Sequence, residues 1–399
     1  MAKHAHVIES QVDKAKIAFE ERFGRQPDYI VRAPGRVNLI GEHTDYNQGF
    51  VFPTAIDREV IIAASKSEGS EVCVRSMDYG EEDQFELADI GKRNDRPWAN
   101  YLRGVLSTLQ KRGALLAGFD AVLTGNVPQG AGLSSSAAYE VAVATLCNKM
   151  NDLMLSPKDI ALIAQRAENE FVGVQCGIMD QFISALAEED SALLIDCRSL
   201  IARAVPLRLT AHDCSIVIIN TGVQRGLVDS KYNERRAECA RGVEKLSQLC
   251  GRTINSLRDI DLEEFEKLGG SLDKTVANRC RHVISENQRV LDAVCCLEDG
   301  DLNGFGQLMN ASHASLRDHF QVSCPELDIL VELSQSHADV IGARMTGGGF
   351  GGCAVALIRN SFLAEYNAKV APEYQRRTGK VPTVYICRST AGASSALAP

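Results

Sequence analysis

Apolar side chains at Ile8, Val12, Ala15, Phe19 and Phe23 recur every three or four positions and predict an amphipathic helix near the start of the chain. Residues 29–33 then read as a short strand stopped by Pro34 and Gly35, and residues 60–64 and 72–75 continue a β-rich stretch. Ser156, Pro157 and Asp159 mark a helix start: a capping hydroxyl, a proline in the first turn and an acid three residues on. That helix runs through Ile160, Ile163, Ala167 and Phe171, and Gly173 ends it. Ser323 with Glu326 predicts a second capping box before residues 327–333, and Asp301 caps a helix through Leu308 and Leu316. Further strands are expected at 192–195, 216–219, 354–358 and 384–387. Strands and helices are mixed without strict β-α-β alternation, so the expected class is α+β rather than a doubly wound sheet. A division falls near residues 206–212, giving domains of 1–208 and 209–399.

The 399 residues can bury a large core and suffice for two to three domains. A composition of 45% hydrophobic and 24% charged residues removes disorder, collagen and coiled coil as the main structure. Forty-three basic against 52 acidic residues leave a net charge of −9, which disfavours nucleic acid and anionic membranes as partners. A local pocket can still reverse that sign for a small anion. No run reaches the roughly 18 apolar residues of a membrane span, and the first residues lack the apolar stretch of a signal peptide. The 13 cysteines are scattered, with no C-x-x-C pair, and read as reduced cytoplasmic thiols rather than a disulfide frame or a zinc site.

Four segments carry candidate chemistry. In residues 126–138, NVPQGAGLSSSAA, Gly130 and Gly132 free the backbone to approach a ligand, and Ser134, Ser135 and Ser136 open an Ala-rich helical run ending near Met150. Backbone N–H groups at a helix start favour an anion; the alternative is a loop with a serine cap. No P-loop occurs, so positive charge on a bound phosphate must come from a metal or an arginine. In TGGGFGG, Gly347, Gly349 and Gly352 formally satisfy G-x-G-x-x-G, but a strand rather than a helix follows, against a dinucleotide site. The loop lets backbone approach a ligand or another loop, or is a tight turn between strands.

Residues 32–54 crowd Glu42, His43 and Asp45 into an apolar stretch, which calls for a reason. Their acceptors and imidazole suit sugar hydroxyls; a metal site or a salt-bridged loop are the alternatives. In CGIMDQFISAL, Asp180 lies near a helix start, as a cap or as a functional acid. Glu168 lies beside the apolar face of its own helix and is a candidate buried carboxylate.

RVNLIGEHTDYN (36–47), PQGAGLSSSAA (128–138), CGIMDQ (176–181) and MTGGGFGG (345–352) together resemble the signatures of the galactokinases, within the wider GHMP sugar and metabolite kinases. The likeness runs in order over residues from about 10 to 390 and is greatest to the bacterial members; EHTDYN is its galactokinase-specific part.

The resemblance implies a two-domain α+β fold with the site in the interdomain cleft, and transfer of the γ-phosphoryl of ATP to the anomeric hydroxyl of α-D-galactose. It implies Asp180 as catalytic base and Arg36 as transition-state stabiliser. Glu42, His43, Thr44, Asp45 and Tyr232 would bind the sugar. Gly130, Ala131, Gly132, Leu133, Ser134, Ser135 and Ser136 would wrap the phosphates, with Trp98 beside the adenine. Ser136 and Glu168 would hold Mg²⁺, and Gly347 to Gly349 would shape the cleft floor. The expected protein is a cytoplasmic monomer with only galactose and ATP as partners. An N-acetylgalactosamine kinase and a non-catalytic galactose- and ATP-binding regulator are the other readings.

Overall fold

The first helix, α1 (Gln11–Phe23), is capped by the Ser10 hydroxyl, which accepts from the Asp13 N–H, and closes on Gly24 in the left-handed region. This is a computed structural model, and it describes residues 10–128, 130–223 and 228–397; Ile8, Gln129, Gln224 and Arg225 lie outside them. The chain continues through β1 (Tyr29–Ile40), β2 (Phe50–Lys66), β3 (Glu71–Ser76), β4 (Glu81–Glu86), α2 (Ala99–Lys111), β5 (Phe119–Gly125), α3 (Ser135–Met150), α4 (Pro157–Arg166), α5 (Met179–Leu186), β6 (Ser191–Asp196) and β7 (Ile201–Pro206). The second half holds β8 (Cys214–Asn220), α6 (Val228–Cys250), α7 (Leu262–Leu268), α8 (Lys274–Glu298), α9 (Leu302–Ser315), α10 (Pro325–Gln335), β9 (Val340–Thr346), β10 (Cys353–Arg359), α11 (Leu363–Thr378), β11 (Thr383–Cys387) and β12 (Ser394–Leu397).

The strands form two mixed or antiparallel sheets, as an α+β chain should. The first runs β12-β1-β2-β5-β3-β4, with β6 on the start of β2 and β7 on β6; only β3 and β5 are parallel. The second runs β11-β8-β10-β9, all antiparallel. The change of sheet falls between Pro206 and Cys214, but β12 crosses back to pair Tyr29 with Leu397 at the edge of β1.

Period-two alternation assigns each face. In β2, Ile61 and Ala63 meet Phe19 of α1, whereas Ile62 and Ala64 face the main core. In β8, Ile216 and Ile218 join that same core, and Val217 and Ile219 join a second one behind the other sheet. One apolar core therefore runs without a break from the first sheet to the inner face of the second.

Two expected boundaries move. The strand expected to stop at Pro34-Gly35 runs on to Ile40, because Pro34 sits at a shift of register where no ladder N–H is required. The box expected at Ser323 does not form: Pro325 occupies the first turn and makes Cys324 the cap, while the Ser323 hydroxyl donates to Asp328 at 2.5 Å. The Ser156–Asp159 box and the Asp301 cap form as expected. After Arg166 the helix widens into a π-turn, Ala167–Val172, closed by the Gly173 N–H donating to the Glu168 carbonyl at 2.8 Å. Among the described residues no helix is long and apolar enough to cross a membrane.

Candidate active site

A cavity of about 440 Å³ is lined from both halves of the chain. Its floor is set by a crossing of β1 and the serine loop. A Cβ on Gly35 would stand 2.7 Å from the Leu133 carbonyl oxygen, so only glycine permits the approach. The next residue, Arg36, donates its backbone N–H to that carbonyl at 3.1 Å. Gly130, Gly132 and Ser134 all take positive φ, and Ser134 caps α3, with Ser135 and Ser136 in its first turn. All five line the cavity together with Leu133, so the N-terminus of α3 opens on it. Buried Ala131 supports the turn from behind.

Asp180 stands opposite. It lies in the first turn of α5 without capping it; Ile178 holds the cap position. Arg36 grips both its oxygens, Nε to Oδ1 at 2.7 Å and Nη2 to Oδ2 at 2.8 Å, and sends Nη1 to the Gly132 carbonyl at 2.5 Å. The Ser134 hydroxyl also donates to Asp180. Burial opposes the Arg36 charge, but Asp180, with Glu42 and Asp45 behind it, raises the guanidinium above its ordinary value.

The loop after β1 brings Glu42, His43 and Asp45 to the same cavity. His43 takes φ 63°, and its Nδ1 lies 2.9 Å from the Tyr46 hydroxyl. Its Nε2 is buried, and the Gly348 backbone is the polar group near the ring that favours its charged form. Burial, with His282 adding, pushes His43 down to about 3, so it stays neutral. Burial also pushes Asp45 up to about 6, with Asp180 and Glu42 as like charges and the Tyr46 N–H and Arg236 opposing. Tyr232, from α6, stacks obliquely on His43 with ring centres 5.5 Å apart. Thr44 stays off the cavity: its hydroxyl is fully buried and donates to the carbonyls of Gly41 and Phe50, tying the loop shut.

On the remaining wall, the π-turn presents Glu168. The Gln181 amide donates to its Oε2 at 2.7 Å and the Cys176 thiol at 3.2 Å. Behind it sits Glu140, fully buried, whose Oε2 receives the same amide at 3.3 Å and whose Oε1 has no partner. Burial, with Asp180 as a like charge, raises Glu168; burial and Glu168 push Glu140 well above its usual range. Trp98 lies outside the lining. It is buried, stacked on the exposed Tyr79 with planes 10° apart, and its N–H donates to Glu81 at 2.7 Å.

Arg344, Glu140 and Gln181 are the site residues that sequence reasoning passed over. Two of them had a visible signal. Arg344 is a charge inside an otherwise apolar strand, and Glu140 a lone acid in the run AAYEVAVATLC.

Among the described residues the cavity is lined by four carboxylates, Glu42, Asp45, Glu168 and Asp180, and by one arginine. Residues 100–188 match the model of the GHMP kinases N-terminal domain, and 293–366 that of the GHMP kinases C-terminal domain. The Methanococcus jannaschii mevalonate kinase shares the fold at 19% identity, with TM-score 0.65 over 90% of this chain and 98% of that one. A Bacteroides thetaiotaomicron D-glycero-D-manno-heptose 1-phosphate kinase does so at 13% identity, with TM-score 0.62 over 93% of this chain and 99% of that one. Fold and site thus define a small-molecule kinase of the GHMP class. Residues 17–66 match the galactokinase galactose-binding signature. The Lactococcus lactis galactokinase, solved with galactose, is 36% identical, with TM-score 0.90 over 95% of this chain and 98% of that one. The chain belongs to the galactokinase family and is an ATP-dependent sugar kinase.

Proposed function

We propose that this cavity transfers the γ-phosphoryl of MgATP to the anomeric hydroxyl of α-D-galactose, giving galactose 1-phosphate and ADP. One observation carries the reading: Asp180 is gripped by Arg36 between the serine loop and the Glu42–Asp45 loop, where donor phosphate and acceptor sugar would meet. Phosphoryl transfer asks for alignment and charge stabilisation rather than covalent help. In this reading Glu42, His43, Asp45 and Tyr232 hold the sugar. Asp180 accepts the proton of the attacking hydroxyl, and Arg36 holds that carboxylate in place and steadies charge on the group in transit. The serine loop receives the phosphates on backbone N–H groups and hydroxyls.

Four carboxylates against one arginine make a poor triphosphate site unless a cation joins it. The Ser136 hydroxyl and Glu168 are hard oxygen donors suited to Mg²⁺, which fills its remaining positions with phosphate and water. When bound, the ion neutralises phosphate charge. We place the adenine beside the Tyr79–Trp98 stack, whose segment touches the cavity rim where the Lys92 ammonium donates to the Val172 carbonyl at 2.8 Å.

The test is ADP release with galactose, glucose and N-acetylgalactosamine in parallel. Galactose should turn over fastest. Preference for N-acetylgalactosamine, or binding of both ligands without turnover, would overturn the reading.

A further inference from the structure

The glycine loop after β9 resembles a phosphate-binding element in sequence, but its contacts point elsewhere. The loop leads into a strand, so no helix dipole stands behind it. Its first amide is already engaged: the Gly347 N–H donates to Oε1 of Glu42 at 2.7 Å. The Thr346 hydroxyl lies 3.2 Å from that oxygen and the Arg344 guanidinium 3.6 Å from it. Arg344 and Thr346 are fully buried and Glu42 is 3% exposed, so these contacts are made away from bulk water. The backbone of Glu42 is held from the same side. The His282 Nε2–H donates to its carbonyl at 3.1 Å, and Oε1 of Glu286 accepts the Gly41 N–H at 3.0 Å. Every one of these partners belongs to β9, the glycine loop or α8, whereas Glu42 belongs to the first half.

We propose that Arg344, Thr346 and the Gly347 N–H are positioning residues for sugar recognition: they fix Oε1 of Glu42 and thereby aim Oε2 at a sugar hydroxyl. The inference rests on the proposed sugar-kinase reading and gives the glycine loop a role toward the acceptor rather than the nucleotide. With the Gly347 N–H on one oxygen, the Thr346 hydroxyl shared between that oxygen and the Asn38 carbonyl, and the Arg344 charge beside them, the carboxylate is held in one orientation, and the free oxygen then reads a hydroxyl without the entropy of a search. It also makes sugar affinity depend on how the second half sits against the first.

The experiment compares Thr346→Val, which removes the hydroxyl at nearly constant volume, with Thr346→Ser, which restores it. Galactose and ATP affinities are measured separately by calorimetry, with kcat and both KM values alongside. Loss of one hydrogen bond to a charged group should weaken galactose by roughly tenfold in the valine variant. Thr346→Ser should recover most of it, and ATP affinity should stay unchanged in both. Weakened ATP with galactose unaffected would make the loop a phosphate element and overturn the proposal. Equal loss of both ligands, or no loss of either, would also overturn it. If Thr346→Val fails to fold by circular dichroism, Arg344→Lys is read by the same split. Wild-type ADP release with galactose checks the underlying reading independently. If another hexose is the acceptor, the split is measured on that hexose.

Discussion

At the scale of single residues, the chemistry turns on how each carboxylate is solvated. Asp180 is held by Arg36 and Ser134, so Asp180→Asn should keep the fold and still bind galactose. It should lose about 10²–10⁴-fold in kcat, read by ADP release, as expected for a removed general base. Asp45 is the opposite case, a carboxyl raised by burial to about 6. Its proton is bound more tightly in the folded than in the unfolded chain. Asp45's own contribution to the stability of the unliganded protein should therefore fall as pH rises from about 4 to 6, while galactose binding, which needs the ionised acceptor, should strengthen through the same window. Thermal melts and calorimetric titration of wild type and Asp45→Asn from pH 4 to 7 would show both: the stability difference between the two should shift with pH, and the rise in galactose affinity should be missing from the variant. His43, held near 3, acts in the opposite sense across that window, because the unfolded imidazole binds a proton there that the folded one does not, so its contribution to stability rises with pH. Several of these residues were legible: Glu42, His43, Asp45, Glu168 and Asp180 are charges in apolar surroundings. The role of Arg344 was not, because its partner lies some 300 positions away in sequence. Thr44 does not line the cavity, because the hydroxyl of a tight loop goes to its own carbonyls.

At the scale of elements, short-range signals were read correctly where a local cause decides them. Strands such as Cys214–Asn220 and Cys353–Arg359 are continuous apolar runs, and the Ser156–Asp159 box is a four-residue affair. Misreadings came where a distant partner or a rigid ring overrode the local rule, as at Pro34 and Pro325. The π-turn at Ala167–Val172 left no period in the sequence; its extra residue re-aims Glu168 toward the cavity. A second π-turn, Leu316–Phe320, sets the Phe320 ring 4.8 Å from His43. The segment between the first π-turn and α5 closes over the sugar loop. A Cβ on Gly177 would meet Asp45 Oδ2 at 1.6 Å. Gly177→Ala should thus displace Asp45 and raise the galactose KM by about 5- to 100-fold, the cost of an overpacked contact, with a smaller effect on the ATP KM. Steady-state kinetics in both substrates would measure it.

At the scale of the molecule, the unbroken core between the sheets should make the two halves cooperative. Calorimetry should give one unfolding transition with equal calorimetric and van't Hoff enthalpies, and two resolved transitions would contradict the shared core. Composition placed the chain among globular proteins with large cores, and the net charge of −9 fits a site that takes phosphates without a lysine cluster. What composition and local pattern did not reveal is the return of the last strand. Tyr29 to Arg32 at the edge of β1 are paired by residues 394–397. During synthesis that edge emerges about 365 residues before its partner. At about 5–20 residues per second, the nascent chain carries an unpaired strand edge for roughly 20–70 s. Shielding of that edge on the ribosome then bears on yield in the cell alongside the stability of the finished fold.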